Sequence, residues 1–400
     1  KRLMVKELPR IMLLIEASRQ AGRGMLTGIS QYAKLHGPFS FYRQLPFYQT
    51  FASTNRKEKG LARIIRQWHP DGIIIEAPSI KAPEDIIPQG TKAVFVPIRK
   101  LVPGFGNLVD DQGRCGRLGA EHFLDRGFVN LAYCGYDYIY WSEERSRAFC
   151  QRARQAGLEV HMYHQPISKL RTWEKEMPYL INWLTTLPKP VGIMVCNDDR
   201  AQFLIEACKT AGLHSPEDVA ILGVDNDTLI CSLSDPPLSS MSLNFEKAGF
   251  EMAEMLHHII TGDWNGPDQI VLQSQRVHTR QSTDILAVNN PELARALAYI
   301  RRHATDGIGI DHVVRQISVS RRMLERYFRQ YLGRSIHREI LRVQMHAIEK
   351  RLVETNLPVS KIAQTCGFAT PEYMGQVFKR QHNMTMLQFR RESKKGQLSA

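Results

Sequence analysis

Residues 312–333, HVVRQISVSRRMLERYFRQYLG, are answered further along the chain by residues 361–383, KIAQTCGFATPEYMGQVFKRQHN. Val314 and Ser318 correspond to Ala363 and Gly367 at an offset of 49; Leu324 and Phe328 correspond to Met374 and Phe378 at an offset of 50. Each copy reads as a short helix, a tight turn and a longer helix, the arrangement that lays one helix in the major groove of DNA. The apolar pairs at i and i+4 share a helix face and anchor it. The opposite face then shows Arg321, Arg322, Glu325, Arg326 and Arg329 in the first copy, and Glu372, Gly375, Gln376, Lys379 and Arg380 in the second. Ala363 is small enough for two helices to cross closely, and Gly367 supplies turn backbone that residues with a Cβ resist. The intervening helix, roughly residues 335–354, is about 30 Å long at 1.5 Å per residue. That is close to the ~34 Å between successive major grooves on one face of DNA.

The charge agrees. The chain of 400 residues carries a net charge of +13. Residues 291–400 hold 20 Lys and Arg against 9 Asp and Glu, whereas the preceding 290 residues hold 33 against 31. A compact basic region beside a neutral one fits a polyanionic partner, most often nucleic acid.

The first 285 residues follow a different pattern. Apolar runs RIMLLIEA, GIIIEA, KAVFVPI, NLAYCGY, VGIMVCN and VAILGVDN alternate with amphipathic stretches, several ending in glycine (Gly37, Gly127, Gly212) where a left-handed cap is wanted. Such alternation predicts parallel sheets covered by helices, and more than 250 residues of it predicts two similar lobes. Pro291 stands at a helix N1 position, so the linker is placed at 286–291, between a sensing domain at 1–285 and an all-α domain of about seven helices at 292–400. The two helix–turn–helix motifs fall at about 310–331 and 359–381.

Seven cysteines at irregular spacing form no CxxC pair, which argues against zinc or a disulfide framework and for a reducing cytoplasm. No apolar run reaches 18 residues, so no membrane span is expected, and the basic start KRLMVKELPRIMLLIEA reads as a first buried strand rather than a leader. Catalytic signatures such as GxxxxGK[ST], GxSxG and HExxH are missing, and AGRGML holds only two glycines of a dinucleotide fingerprint. No catalytic residue, metal or cofactor is expected. The adjacent pairs Asp110/Asp111 and Asp198/Asp199 sit where neighbours rarely converge as an acid/base dyad; helix caps or ligand contacts suit them better. Polar residues close several strands: Asp111 after NLVD, Asn197 and Asp198 after GIMVC, Asp225 after VAILGV. In open parallel sheets ligands bind beyond the carboxyl ends of strands, and a sugar wants such acids and amides together with an aromatic face.

Residues 291–395, with SKIAQTCGFATPEYMGQVFKR as the strongest match, resemble the AraC/XylS family of transcription regulators. The resemblance implies base contacts from Arg322, Glu325 and Arg326 in copy one and from Glu372 and Gln376 in copy two. Arginine suits guanine and glutamine suits adenine; Arg329, Lys379 and Arg380 suit phosphate, which gives affinity without sequence reading. The chain departs from the family at Val314, Ser318 and Met386, and Pro371 occupies a position from which no side-chain bond can be made.

The segments VDDQGRCGRLGAEHFLDRGFVNLAYCG, ERSRAFCQRARQAGL, VGIMVCNDDRAQFLIEACKTAGLHSPEDVAILGVDND, PPLSSMSLNFEKAGFEMAEMLHHI and RVHTRQST resemble the sensor of the lac/galactose-repressor family, itself like periplasmic sugar-binding proteins. That resemblance implies a two-lobed sensor of type I periplasmic-binding-protein fold, with three crossovers near 127–130, 237–243 and 264–272 and a sugar cleft between the lobes. It carries ligand contact onto Asp111, Arg145, Asn197 and Asp225, to which Trp141 adds a stacking surface. Asp198 is either a helix cap or a contact, and a bland reading leaves Arg145 on the surface and Asp225 in a turn. Lac-type repressors place their DNA reader before the sensor, whereas this chain places it after, and xylose is the expectation that layout carries.

The expected function is a sequence-specific, sugar-controlled DNA-binding regulator. Its expected partners are double-stranded DNA, a small sugar, a second copy of the chain and RNA polymerase. The helix GRGMLTGISQYAKLHG is the candidate dimer face. A carbohydrate-acting enzyme with a DNA-binding appendage and a ligand-independent DNA binder are the competing readings.

Overall fold

The computed structural model describes residues 8–43, 63–76, 87–96, 101–137, 139–165, 173–285, 290–355 and 357–391. Two compact units divide the chain, Lys1–Ile285 and Leu286–Ala400. Most of the linker placed at 286–291 lies outside the described residues.

Among its described residues the first unit is built on two six-stranded sheets. The first sheet contains β1 (Arg10–Leu14), β2 (Ser40–Arg43), β3 (Gly72–Glu76), β4 (Lys92–Val96), β5 (Gly106–Asp110) and β11 (Gln269–Leu272), in the order β11-β5-β4-β3-β1-β2 and parallel throughout. The second contains β6 (Asn130–Cys134), β7 (Val160–Tyr163), β8 (Val191–Val195), β9 (Val219–Val224), β10 (Ser239–Leu243) and β12 (Ser274–His278), ordered β12-β10-β9-β8-β6-β7, with only β12 antiparallel. The central strands are buried on both faces, as helix-covered parallel sheets require: all five residues of β8 and all six of β9 are buried.

Helices α1 (Gln20–His36) and α8 (Phe245–Thr261) flank the first sheet, and α2 spans 63–68. The second sheet carries α3 (Gln112–Leu124), α4 (Tyr140–Gln155), α5 (Trp173–Thr186), α6 (Asp198–Thr210) and α7 (Thr228–Leu233). Gly24 and Gly28 of AGRGMLTG are explained by α1 meeting α8, whereas a Cβ on Gly22 would lie 1.6 Å from the Glu16 carbonyl oxygen in the loop before α1. A Cβ on Gly28 would lie 1.9 Å from the Glu246 carbonyl oxygen, and one on Gly249 would lie 2.0 Å from that of Met25. They permit helix contact and form no phosphate loop. The same stripe, with Met25, Ile29 and Tyr32 buried, is covered by α8 of its own chain, which leaves the opposite side of α1, with Leu35 exposed, as the part of this helix open to a second copy.

The chain crosses between sheets three times. The second and third crossings, at Leu243–Phe245 and at Gln273 between β11 and β12, lie close to where the resemblance puts them. The first is a correction: it falls at Asp110–Gln112, directly after β5, rather than near 127–130. Helix α3 already packs on α4 and β12, so the passage is complete before α3 begins.

The second unit is helical throughout its described residues: α9 (Pro291–His303), α10 (Ile310–Val314), α11 (Arg321–Leu332), α12 (Ile336–Glu354), α13 (Val359–Thr365), α14 (Pro371–His382) and α15 at 386–391. Two cores organise it. Leu293, Leu297, Ile300, Val313, Leu324, Phe328, Ile336 and Ile340 form one; Met345, Ile348, Leu352, Ile362, Ala363, Met374 and Phe378 form the other. Helix α12 supplies residues to both and so joins the two helix–turn–helix copies. At the seam, buried Gln344 donates to the carbonyls of Ala304 (2.8 Å) and Gly367 (3.3 Å). Gly367 has φ +75°, and a Cβ there would lie 2.6 Å from the Gly307 nitrogen. Its glycine serves both the left-handed turn and the contact between copies.

Candidate ligand cleft and nucleic-acid interface

The sugar cleft that the resemblance implies lies at the carboxyl ends of the strands, where Glu76 and Asp110 close β3 and β5 and Asn197 and Asp225 follow β8 and β9. Beside Asp225 lies Arg145, on the second turn of α4 and only 4% exposed. Its Nε donates to Gln112 Oε1 (2.5 Å) and its Nη1 to the Cys196 carbonyl; its Nη2 lies 3.9 Å from Asp225 Oδ1. The guanidinium sits over the Trp141 ring, 5.1 Å from the centroid. Gln112 in turn donates to Asp110 Oδ2 (2.6 Å), while Asp110 Oδ1 is buried with no hydrogen-bond partner among the described residues. Burial pushes the Asp110 carboxyl up to about 6 against the pull of Arg145 and Gln112, and Asp225 up to about 7 against Arg145.

Arg145, Asp225 and Trp141 therefore come together. Asp111 and Asn197 are used differently. Asp111 Oδ1 accepts from the Arg114 N–H (2.8 Å) and caps α3; Asn197 Oδ1 accepts from the Arg200 N–H (3.0 Å) and caps α6. Any ligand contact from Asn197 falls to its amide nitrogen. Asp198 is neither the cap nor a cleft residue. It is buried, accepts from the Ser240 hydroxyl (2.5 Å) and the Asp227 N–H (2.7 Å), and burial raises its carboxyl well above the usual range.

The sequence reading missed a second set of residues, at the cleft mouth. Arg19 Nε donates to Asp199 (2.6 Å), Arg23 Nη2 donates to Asp227 (2.7 Å), and the backbone N–H of Gln20 donates to Asp227 as well (3.0 Å). These bonds tie the start of α1 in one lobe to α6 and α7 in the other. The basic pair in SRQAGR, directly after the first strand, was the available signal. Gln112 was missed because a glutamine after two aspartates looks like any helix start.

A pH effect follows from Asp225. Its folded carboxyl titrates above the unfolded value, so its contribution to stability is full at low pH and is lost as pH rises through about 7. Asp225→Asn removes that loss. The difference in melting temperature, variant minus wild type, is expected to increase from pH 5 to pH 8; a constant difference would show that Asp225 ionises normally.

In the second unit both recognition helices are capped alike. Ser320 Oγ accepts from the Met323 N–H and Thr370 Oγ1 from the Tyr373 N–H; Gly333 and Asn383 close the other ends at φ +64° and +55°. Leu324, Phe328, Met374 and Phe378 are fully buried, which leaves Arg322, Arg326 and Arg329 exposed on α11 and Glu372, Gln376, Lys379 and Arg380 exposed on α14. Ser320, Arg322, Met323, Glu325, Arg326, Arg329 and Gln330 line a concave surface. Arg321 is engaged with Asp311 (3.1 Å) and Glu325 (3.2 Å), so Glu325 reaches a base only by sharing that partner. Pro371 begins α14. Tyr373, 47% exposed in the first turn of α14, was overlooked as a surface group. Among the described residues no His, Cys, Asp and Glu cluster could hold a metal, and no helix is long and apolar enough to cross a membrane.

Comparison with known proteins agrees with this architecture. A periplasmic binding protein-like domain matches residues 120–283, and a helix-turn-helix domain matches residues 313–392. Together they define a transcription regulator in which a ligand-binding fold of the periplasmic type precedes a DNA reader. The chain is homologous to the xylose operon regulatory proteins. It is 27% identical to that of Haemophilus influenzae over 97% of this chain and 99% of the relative, and 27% identical to that of Escherichia coli over 95% and 96%. The solved structure of a xylose-binding transcription activator aligns over 97% of this chain and 99% of its own, at 25% identity and a TM-score of 0.75. A periplasmic binding protein/LacI-type regulator complexed with D-xylulofuranose shares the fold of the first unit at 20% identity, with a TM-score of 0.54 over 69% of this chain. These homologues are regulators rather than enzymes.

Proposed function

We propose that the cleft around Arg145 binds xylose or a related monosaccharide, and that binding controls transcription from paired DNA half-sites. The sensing domain is 1–285 and the reader 292–400. The protein works in the cytoplasm as a homodimer and an activator, with RNA polymerase as a further partner. The observation that carries the ligand reading is the chain Asp110–Gln112–Arg145–Asp225. It joins both lobes, presents acceptors of both carboxylate and amide type, and contains a buried carboxylate oxygen that a sugar hydroxyl would satisfy. The homologues, xylose operon regulatory proteins and a xylose-binding transcription activator, support the choice of ligand and sign. In this assignment Asp111, Trp141, Arg145, Asn197 and Asp225 serve the sugar, Arg322, Glu325, Arg326, Glu372 and Gln376 serve bases, and Arg329, Lys379 and Arg380 serve phosphates.

Sugar acts by preferring one arrangement of the lobes. Moving a balance from 1:99 to 99:1 takes about 5.5 kcal/mol of differential binding. A thermal-shift screen over a panel of pentoses and hexoses tests the assignment. Xylose or a close relative is expected to raise the melting temperature and remain chemically unchanged. Conversion of the sugar would establish an enzyme, and indifference to the whole panel would establish a ligand-independent DNA binder.

A further inference from the structure

The segment RVHTRQST, residues 276–283, finds no part in ligand or DNA contact, yet it carries the end of β12, the last strand of the sensor among the described residues, and the short 3-10 turn at Gln281–Thr283 that leads to the boundary at Ile285. Its partners are unusually specific. Arg280 donates from Nη2 to Asn226 Oδ1 (2.9 Å), from Nη1 to the Leu238 carbonyl (2.9 Å) and from its backbone N–H to Ser239 Oγ (2.7 Å). Ser282 Oγ donates to the Ile221 carbonyl (2.6 Å), Thr283 Oγ1 bonds to Ser239 Oγ and His122 (2.8 Å each), and Arg126 Nε donates to the Thr283 carbonyl (3.0 Å).

Asn226 is the neighbour of Asp225, the carboxylate beside Arg145 in the cleft. Both residues have positive φ, +102° and +51°, in a region that side-chain-bearing residues rarely adopt. The turn is held open from one side by Ser240, whose Oγ accepts from the Asn226 N–H (3.0 Å), and from the other by Arg280. Backbone held in a rare conformation persists only while its surroundings over-determine it. A change at Asp225 therefore reaches Asn226 through one peptide unit and Arg280 through one hydrogen bond.

We propose that the Asn226–Arg280 bond is the link by which the occupied cleft sets the conformation of the segment leading out of the sensor, with Asn226 and Arg280 as positioning residues that touch neither sugar nor DNA. This rests on the proposed cleft function, and the test separates the two. Asn226→Gly removes the acceptor while suiting the positive φ, so the fold is retained; Asn226→Asp keeps an acceptor for Arg280. Three quantities are measured on the full chain: xylose affinity, DNA affinity with and without xylose, and amide exchange at 279–285.

The expected result for Asn226→Gly is xylose and sugar-free DNA affinities within about twofold of wild type, while the factor by which xylose changes DNA affinity shrinks at least ~5-fold. Exchange at 279–285 should then no longer respond to xylose, and Asn226→Asp should retain both responses. Equal responses in wild type and Asn226→Gly would overturn the proposal. If wild type fails to bind xylose, the ligand assignment is what fails, and the link is read from Arg145→Gln instead. That change should alter exchange at 279–285 in the otherwise native chain and not alongside Asn226→Gly; identical exchange in the two backgrounds would overturn the link independently of the sugar.

Discussion

Replacing Arg145 with alanine is expected to weaken sugar binding about 100-fold or more and to erase the sugar response in DNA binding. The residue joins Gln112, the Cys196 carbonyl, Asp225 and the Trp141 face. Hydrogen bonds to a charged group contribute about 1.5–3 kcal/mol each, and about 2.7 kcal/mol corresponds to 100-fold in affinity. Removal also takes away the cation that opposes the burial of Asp110 and Asp225, so both carboxyls move further up and hold their protons at neutral pH. Each protonated carboxyl still accepts through its carbonyl but without the charge that makes its hydrogen bonds strong, so the acceptors weaken together with the loss of the donor. Because a buried arginine also supports the fold, Arg145→Lys serves beside it: the charge stays while the planar fork that addresses several partners is lost. The lysine variant should fold, by melting temperature and far-ultraviolet circular dichroism, and should bind sugar more weakly than wild type. Calorimetry showing both variants within twofold of wild type would remove Arg145 from the ligand site.

Much of this architecture can be read from the sequence because periodicity reports burial. The runs RIMLL, GIIIE and VGIMV are strands because a sheet covered on both sides needs continuous apolar residues, and the 12 strands among the described residues do form two sheets. Leu324 with Phe328 and Met374 with Phe378 are buried at the spacing that marks them as anchors. Polar residues at strand ends are harder to read. An aspartate or asparagine there can cap the next helix or face a ligand, and both uses want an oxygen at the same place. Asp111 and Asn197 give their oxygens to caps, whereas Asp225 turns toward Arg145. Local sequence does not separate them. For Arg145 only the family resemblance points to the cleft, and its local sequence reads equally as a surface arginine: the partners that bury it come from Gln112, Cys196 and Asp225, elements far apart in the chain. The glycines of AGRGMLTG illustrate the converse, since one residue type serves phosphate loops and tight helix crossings, and only the position of α8 decides.

The two recognition helices differ, and that difference is open to measurement. Helix α11 exposes Arg322 and Arg326, whose paired donors match guanine; α14 begins with Pro371 and exposes Gln376 with Lys379 and Arg380. Arg322→Ala and Arg326→Ala are each expected to cost about 1–3 kcal/mol at the preferred site, roughly 5- to 150-fold, and to relax specificity at the base pairs they face. Lys379→Ala should instead weaken binding to every sequence alike and lower the slope of log affinity against log salt by about one. Gln376→Ala is expected to shift sequence preference less than either arginine change, because at the positions assigned to bases α14 exposes one amide where α11 exposes two guanidinium groups. Both motifs share α12 and the Gln344 seam, so each substitution is read in an otherwise intact domain. Binding to randomised operators, selected at two salt concentrations, distinguishes the classes. If Arg326→Ala and Lys379→Ala lose affinity equally on all sequences, α11 does not read bases. If Gln376→Ala relaxes specificity as strongly as the arginine variants, the copies read DNA on equal terms.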